Sequence, residues 1–161
     1  MTAGTNVNQA LMVLRLLLAA IGGGMVIFAG IAVLLVKSGS MEGKRELAPI
    51  LLPILGLIAI LELPVYATMR RGIVSKARQA WDRAPSSGDP AVELLPSYNM
   101  LTIIGGALAE GFGLFGTVVL LLTGSWPALA APAIALLALA AVFPSPDRLN
   151  RFVTAVTGQY R

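Results

Sequence analysis

Three charged side chains lie inside long apolar stretches of this 161-residue sequence: Arg15, Glu62 and Glu110. A charge at the centre of a membrane span costs at least about 2.5 kcal/mol, so each needs a partner or a neutral state. Arg15 and Glu62 are expected at similar depth, which makes them a candidate intramembrane ion pair with a structural role. Glu110 is expected close to the midplane and is the candidate ion-carrying residue.

Two interpretations of Glu110 stay open. Its carboxyl could bind and release a proton, with Gly106 and Gly113 leaving room for an ion, water or another helix. Alternatively, it is a protonated or hydrogen-bonded glutamic acid that fastens its helix to neighbouring helices.

Composition excludes most other chemistry. The sequence has no Cys and no His, which excludes disulfides, thiolate nucleophiles and metal sites built on sulfur or imidazole. We therefore expect no catalytic residues, no metal and no cofactor. The net charge of +4 comes from basic residues beside apolar stretches, so lipid headgroups are the expected partner and nucleic acid is not.

The segments that carry these charges are predicted to be membrane helices. The chain is 57% hydrophobic with a mean hydropathy of +0.81, and about 20 apolar residues suffice to cross a bilayer. The sequence predicts an all-α polytopic membrane protein, a single membrane domain whose four transmembrane helices form two tandem hairpins. The predicted spans are residues 9–36, 48–69, 97–123 and 128–143.

Amphipathic segments are predicted after the second and fourth spans. In the expected cytoplasmic loop 70–96, the second helix continues beyond Arg70, and residues 85–96 act as a linker. After the fourth span, Ser145 and Pro146 predict the start of a helix over 146–157. Both segments are expected on the membrane surface, and the residues expected to contact headgroups are Arg70, Arg71, Trp81, Arg148 and Arg151.

Charge distribution predicts the orientation. Nine of the twelve Lys and Arg residues lie in the first segment, the 70–96 loop and the tail, whereas three lie in the connection between the first two spans. Because basic residues are retained on the cytoplasmic side, we expect a multi-pass protein of the bacterial inner membrane with both termini in the cytoplasm.

Small residues predict where the helices pack. Gly105, Ala109 and Gly113 recur at four-residue spacing on the third helix, and Ala19 and Gly23 offer a counterpart on the first. Helices one and three are therefore expected to touch. Residues 30–38 and 53–59 also align with 116–124 and 132–138, which suggests a duplicated hairpin.

The segment from Gly105 to Gly116 resembles the carboxylate helix of rotary ATPase proteolipid (c-type) subunits. There, too, a mid-membrane acid is followed by small residues and an aromatic-Gly pair, here Phe115 and Gly116. The resemblance implies an ion-carrying role for Glu110 alone. The layout, with this acid in helix three and Phe143-Pro144 ending helix four, resembles small bacterial four-helix integral membrane proteins.

The leading functional hypothesis is a non-catalytic membrane subunit or scaffold that packs against protein partners or forms a homo-oligomer. Small-residue faces are abundant while reactive groups are few. The alternative is translocation of protons or ions through an oligomer that uses Glu110. An intramembrane enzyme ranks third, because no nucleophile accompanies Glu62 and Glu110.

Overall fold

The computed structural model describes residues 3–40, 43–83 and 88–158. This part of the chain is all-helical, which confirms the expected all-α class. Short 3-10 helices at Arg45–Leu47 and Trp126–Leu129 lead into the second and fourth α-helices. The α-helices are α1 (Ala3–Lys37), α2 (Ala48–Arg83), α3 (Pro90–Thr123), α4 (Ala130–Val142) and α5 (Pro146–Thr157).

Three of these helical segments are long and apolar enough to cross a membrane: Val7–Lys37, Arg45–Arg83 and Pro90–Thr123. The fourth expected span is different. The 13 residues of α4 rise only about 20 Å, against about 30 Å of hydrocarbon. Trp126–Val142 meets the length and hydropathy requirement only together with α5, from which it is bent by 69°. The described residues thus contain three candidate spans, or four if the bent pair counts as one.

The central helix of the bundle is α3. It contacts α1, α2, α4 and α5, whereas α1 and α2 make little direct contact with each other. Small residues explain the central position, because they let neighbouring backbones approach closely. A side-chain carbon on Gly116, for example, would overlap the Cβ atom of Ala131 and lie 3.0 Å from the carbonyl oxygen of Ala128.

The helices alternate in direction. The connection between α1 and α2 meets the turn between α3 and α4, where the amide of Lys44 donates to the carbonyl of Leu122 at 2.8 Å. At the opposite end, Leu11 of α1, Leu94 of α3 and Phe152 of α5 share one buried cluster. Both short connections therefore lie at one end of the bundle.

The start of α3 differs from expectation. A helix was expected from about Ser97, but it begins at Pro90, seven residues earlier. The reason is local: the side chain of Asp89 accepts a hydrogen bond from the amide of Ala91 at 3.0 Å, and proline is well suited to the first helical position. Because α2 also runs on to Arg83, most of the expected loop 70–96 is helical. Residues 84–87 of that loop lie outside the described residues.

The amphipathic segments pack mainly on protein. The segment that forms α5 coincides with the expected tail helix, and the side chain of Ser145 accepts from the amide of Arg148 at 3.3 Å. Its apolar face, however, is turned toward the other helices. Leu149, Phe152 and Val156 are buried against the bundle, in a cluster that also contains Ala77 of α2. The start of α1, the end of α2 and the start of α3 thus form a buried cluster with α5. We call this cluster the second core, to distinguish it from the packing along the middle of the bundle.

Replacing Gly116 by Ala should lower the free energy of unfolding by about 1 to 3 kcal/mol, because rigid atoms of Ala131 and Ala128 occupy the space a methyl group needs. Gly111→Ala is the matched control on α3, since nothing lies within 4 Å of a side-chain carbon there. It should leave stability unchanged or raise it by up to about 1 kcal/mol. Unfolding in mixed detergent, followed by circular dichroism, measures both; equal effects would contradict the packing of α3 on α4.

Candidate functional site

The contacts of α3 fix the depth of the charged residues. Leu18 and Met25 of α1 lie where side-chain carbons on Gly106 and Gly113 would be, so α1 and α3 run in the same direction with one offset. This offset places Arg15 level with Ile103. On the other side of α3, Glu62 lines a cavity together with Ala109. Arg15 and Glu62 therefore belong to helices on different sides of α3 that make little direct contact with each other.

Arg15 has a different partner from the one expected. Its Nε atom donates to the carbonyl oxygen of Pro144 at 3.0 Å. Pro144 is fully buried in the connection between α4 and α5, where backbone carbonyls have no helical partner. Arg15 thus holds the bend between the two helices, and the structure does not bring it together with Glu62.

The carboxyl groups of Glu62 and Glu110 lie on different sides of α3. Glu62 faces the groove between α2 and α4, beside Leu108 and Ala109. Glu110 is turned around the helix by about 100° from Ala109 and by about 160° from Leu108. It is half-buried, and its neighbour Gly111 has open space beside it. The arrangement keeps the two carboxyl groups apart, so they do not form a paired acid-base site.

The small residues divide into a covered and an uncovered set. Gly105, Ala109 and Gly113 are buried on α3, where they meet side chains of α1, α2 and α4. Ala19 and Gly23 are exposed, and nothing lies within 4 Å of a side-chain carbon on Gly23. The structure therefore joins α1 to α3 through large residues of α1 that enter the gaps left by glycines of α3.

Arginines gather where α4 bends into α5. Arg70 of α2 and Arg148 and Arg151 of α5 line a cavity of about 390 Å³ together with Tyr66 and Tyr98. The two tyrosines were missed in the sequence. The available signal was position, because Tyr66 and Tyr98 lie at the ends of apolar spans, where tyrosine is enriched.

The remaining two headgroup candidates lie apart from this cavity: Arg71 is exposed and Trp81 is half-buried in the second core. Neither lines the arginine cavity. Across the described ranges, no group of three or more acidic side chains is placed to hold a metal ion. The main polar features of the fold are thus the bend that Arg15 stabilises, the separate carboxyl groups of Glu62 and Glu110, and the cavity lined by arginines.

Arg15→Gln should lower the free energy of unfolding by about 1 to 3 kcal/mol, because the buried carbonyl of Pro144 loses its charged donor. Glu62→Gln should add no coupling to this loss, since Arg15 donates to Pro144 and α1 makes little direct contact with α2. A double-mutant cycle in mixed detergent measures the coupling. A coupling energy above about 1 kcal/mol would indicate a direct ion pair between Arg15 and Glu62 and contradict this prediction.

Comparison of the chain with protein-family models, with curated proteins and with solved structures finds no match. Any functional proposal must therefore rest on the residues and their geometry. Two features carry the most information: the uncovered small residues of α1 and the basic cavity at the bend.

Proposed function

We propose that this chain is a non-catalytic integral membrane subunit that assembles with protein partners or with copies of itself. The observation that carries the proposal is a stripe of small residues on α1, made of Ala19, Gly23 and Gly30. All three are exposed, and Gly23 and Gly30 have nothing within 4 Å of a side-chain carbon. We call this surface the α1 stripe.

The α1 stripe is well suited to another helix and poorly suited to lipid. Ala19, Gly23 and Gly30 follow each other at four and seven residues, a spacing that keeps them on one face of a helix. In a bilayer, apolar attraction does not distinguish a helix from lipid, so association depends on close packing at small residues. A helix seated on this stripe could approach the backbone of α1 as closely as α4 approaches α3.

The distribution of burial supports an assembly. Only 11% of the most apolar stretch of α1 and 6% of that of α2 are buried, against 50% for α3. Glu110 is half-buried midway along α3, where an uncovered carboxylate would face hydrocarbon. A second chain would cover both the apolar helices and this carboxyl group.

A non-catalytic role is supported by what the chain can offer chemically. It has no Cys or His, and the carboxyl groups of Glu62 and Glu110 face different sides of α3. A paired mechanism, in which one carboxyl group donates a proton and the other accepts one, needs both groups at one substrate. The chemistry available is hydrogen bonding and packing, which suits a scaffold.

The proposal includes a topology. Four spans would cross the bacterial inner membrane, the last formed by α4 with the bend to α5, and the first two spans would be one hairpin and the last two another. The end that carries α5 would face the cytoplasm, because it holds most of the basic residues. The connections near Ser40 and Ser125 would then lie outside.

Gly23→Leu should weaken assembly by at least about tenfold while leaving the fold of the single chain unchanged, because a leucine would block close approach at the α1 stripe. Gly24→Leu is the matched control. It adds the same side chain about 100° away, and nothing lies within 4 Å of its first carbon either. Native mass spectrometry from mild detergent gives the oligomeric state and any partners retained. A wild-type protein that is always a lone monomer would refute the proposal.

The absence of cysteine makes the topology directly testable. Ser40→Cys should react with a membrane-impermeant maleimide in intact spheroplasts, because its connection is expected outside. Ser75→Cys lies in the extension of α2 and should react only after the membrane is opened. Wild-type protein, which carries no thiol, measures background labelling, and the reverse pattern would overturn the orientation.

A further inference from the structure

The basic cavity lies between α2, α3 and the two helices joined by the bend. Its polar side chains come from three helices: Arg70 and Tyr66 from α2, Tyr98 and Thr102 from α3, and Arg148 and Arg151 from α5. The lining includes no acidic residue. Three guanidinium groups around one space of about 390 Å³ favour an anionic ligand.

Most of this hydrogen-bonding capacity is unused. Within residues 3–40, 43–83 and 88–158, the guanidinium groups of Arg70 and Arg148 have no hydrogen-bond partner and form no ion pair. The Nε atom of Arg151 donates to the carbonyl of Asp147 in its own helix at 3.4 Å, which leaves its two terminal nitrogens available to a ligand. Arg148 is half-buried, so its guanidinium group has lost part of its hydration without gaining a hydrogen-bond partner. A ligand oxygen would replace the hydrogen bonds that were lost.

A second, independent observation comes from Tyr98. Its side chain is only 5% exposed, lines the cavity, and packs on Phe152 with 5.9 Å between the ring centroids. Its hydroxyl oxygen is buried beside the backbone of Ser145 and the side chain of Thr102, but neither reaches it with hydrogen-bond geometry. A buried tyrosine hydroxyl normally has a partner, so this group points to a ligand that supplies one.

The basic cavity has a mainly apolar neighbour. A second cavity of about 200 Å³ shares Tyr66, Ala141 and Val142 with the first. It follows the groove between α2 and α4 and is lined mainly by apolar side chains, with Glu62 as its one charged lining residue. The two adjacent cavities are thus basic near the expected headgroup region and mainly apolar toward the middle of the membrane.

From this juxtaposition we infer that the groove binds one anionic phospholipid, with its phosphate at Arg70, Arg148 and Arg151 and the start of one acyl chain in the apolar cavity beside Val142. The Tyr98 hydroxyl donates to an oxygen of the headgroup. Basic pockets between membrane helices on the cytoplasmic side are typical sites for anionic lipids. A soluble anion would use the arginines but not the apolar cavity, so the combination favours a lipid. The inference goes beyond the subunit role and does not depend on a protein partner.

The test uses the full chain in mild detergent, titrated with dioleoylphosphatidylglycerol, with dioleoylphosphatidylcholine and, in a third arm, with glycerol 3-phosphate. Native mass spectrometry counts retained ligands. The wild type should retain one phosphatidylglycerol at a concentration about tenfold lower than phosphatidylcholine, and glycerol 3-phosphate should not be retained. Equal retention of the two lipids, or retention of glycerol 3-phosphate as strong as that of the lipid, would overturn the inference.

Adjacent arginines provide a matched pair of variants. Arg70→Gln should weaken phosphatidylglycerol binding by about fivefold or more, whereas Arg71→Gln, which removes the same charge outside the cavity, should leave it unchanged. Tyr98→Phe should also weaken binding while keeping the ring contact with Phe152, and circular dichroism verifies that each variant is folded. Equal losses in the Arg70 and Arg71 variants would show general attraction to headgroups and refute a defined site.

Discussion

Close backbone approach at the small residues of α3 is the constraint on which the rest of this structure depends. Hydrophobic attraction does not hold helices together in lipid, so their contacts form where side chains are small enough to let backbones meet. On α3, Gly106 and Gly113 receive side chains of α1, Gly105 receives Tyr66 of α2 and Val142 of α4, and Gly116 lies against α4. The small residues of α3 therefore set the register of α1, α2 and α4 and make α3 the central helix of the bundle.

That register decides what the charged residues can do. It places Arg15 at the carbonyl of Pro144, away from Glu62. It also places Glu62 and Glu110 on different sides of α3. Separation by a packed helix leaves the two carboxyl groups on independent surfaces, a groove in one case and an open flank in the other.

Hydropathy and the spacing of small residues predicted the helical class, the long apolar segments and the row of small residues on α3. These features depend on local composition. The faces of α1 were not predictable in the same way. An apolar helix has no polar side to orient it, so Ala19 and Gly23 were as plausible against α3 as Leu18 and Met25, which fill its gaps. The partner of Arg15 was not predictable either, because the carbonyl of Pro144 becomes available only where α4 ends and bends into α5.

The basic cavity follows from the shortness of α4. A helix of 13 residues rises about 20 Å and ends before the bundle does. Arg15 then holds the carbonyl of Pro144, and α5 turns back to pack Phe152 on Tyr98. A straight, longer α4 would occupy the space beside Tyr66 and Tyr98, whereas the bend leaves it open and brings two arginines of α5 toward Arg70. The same hydrogen bond that stabilises the bend therefore also maintains the cavity, and loss of Arg15 would disturb both together.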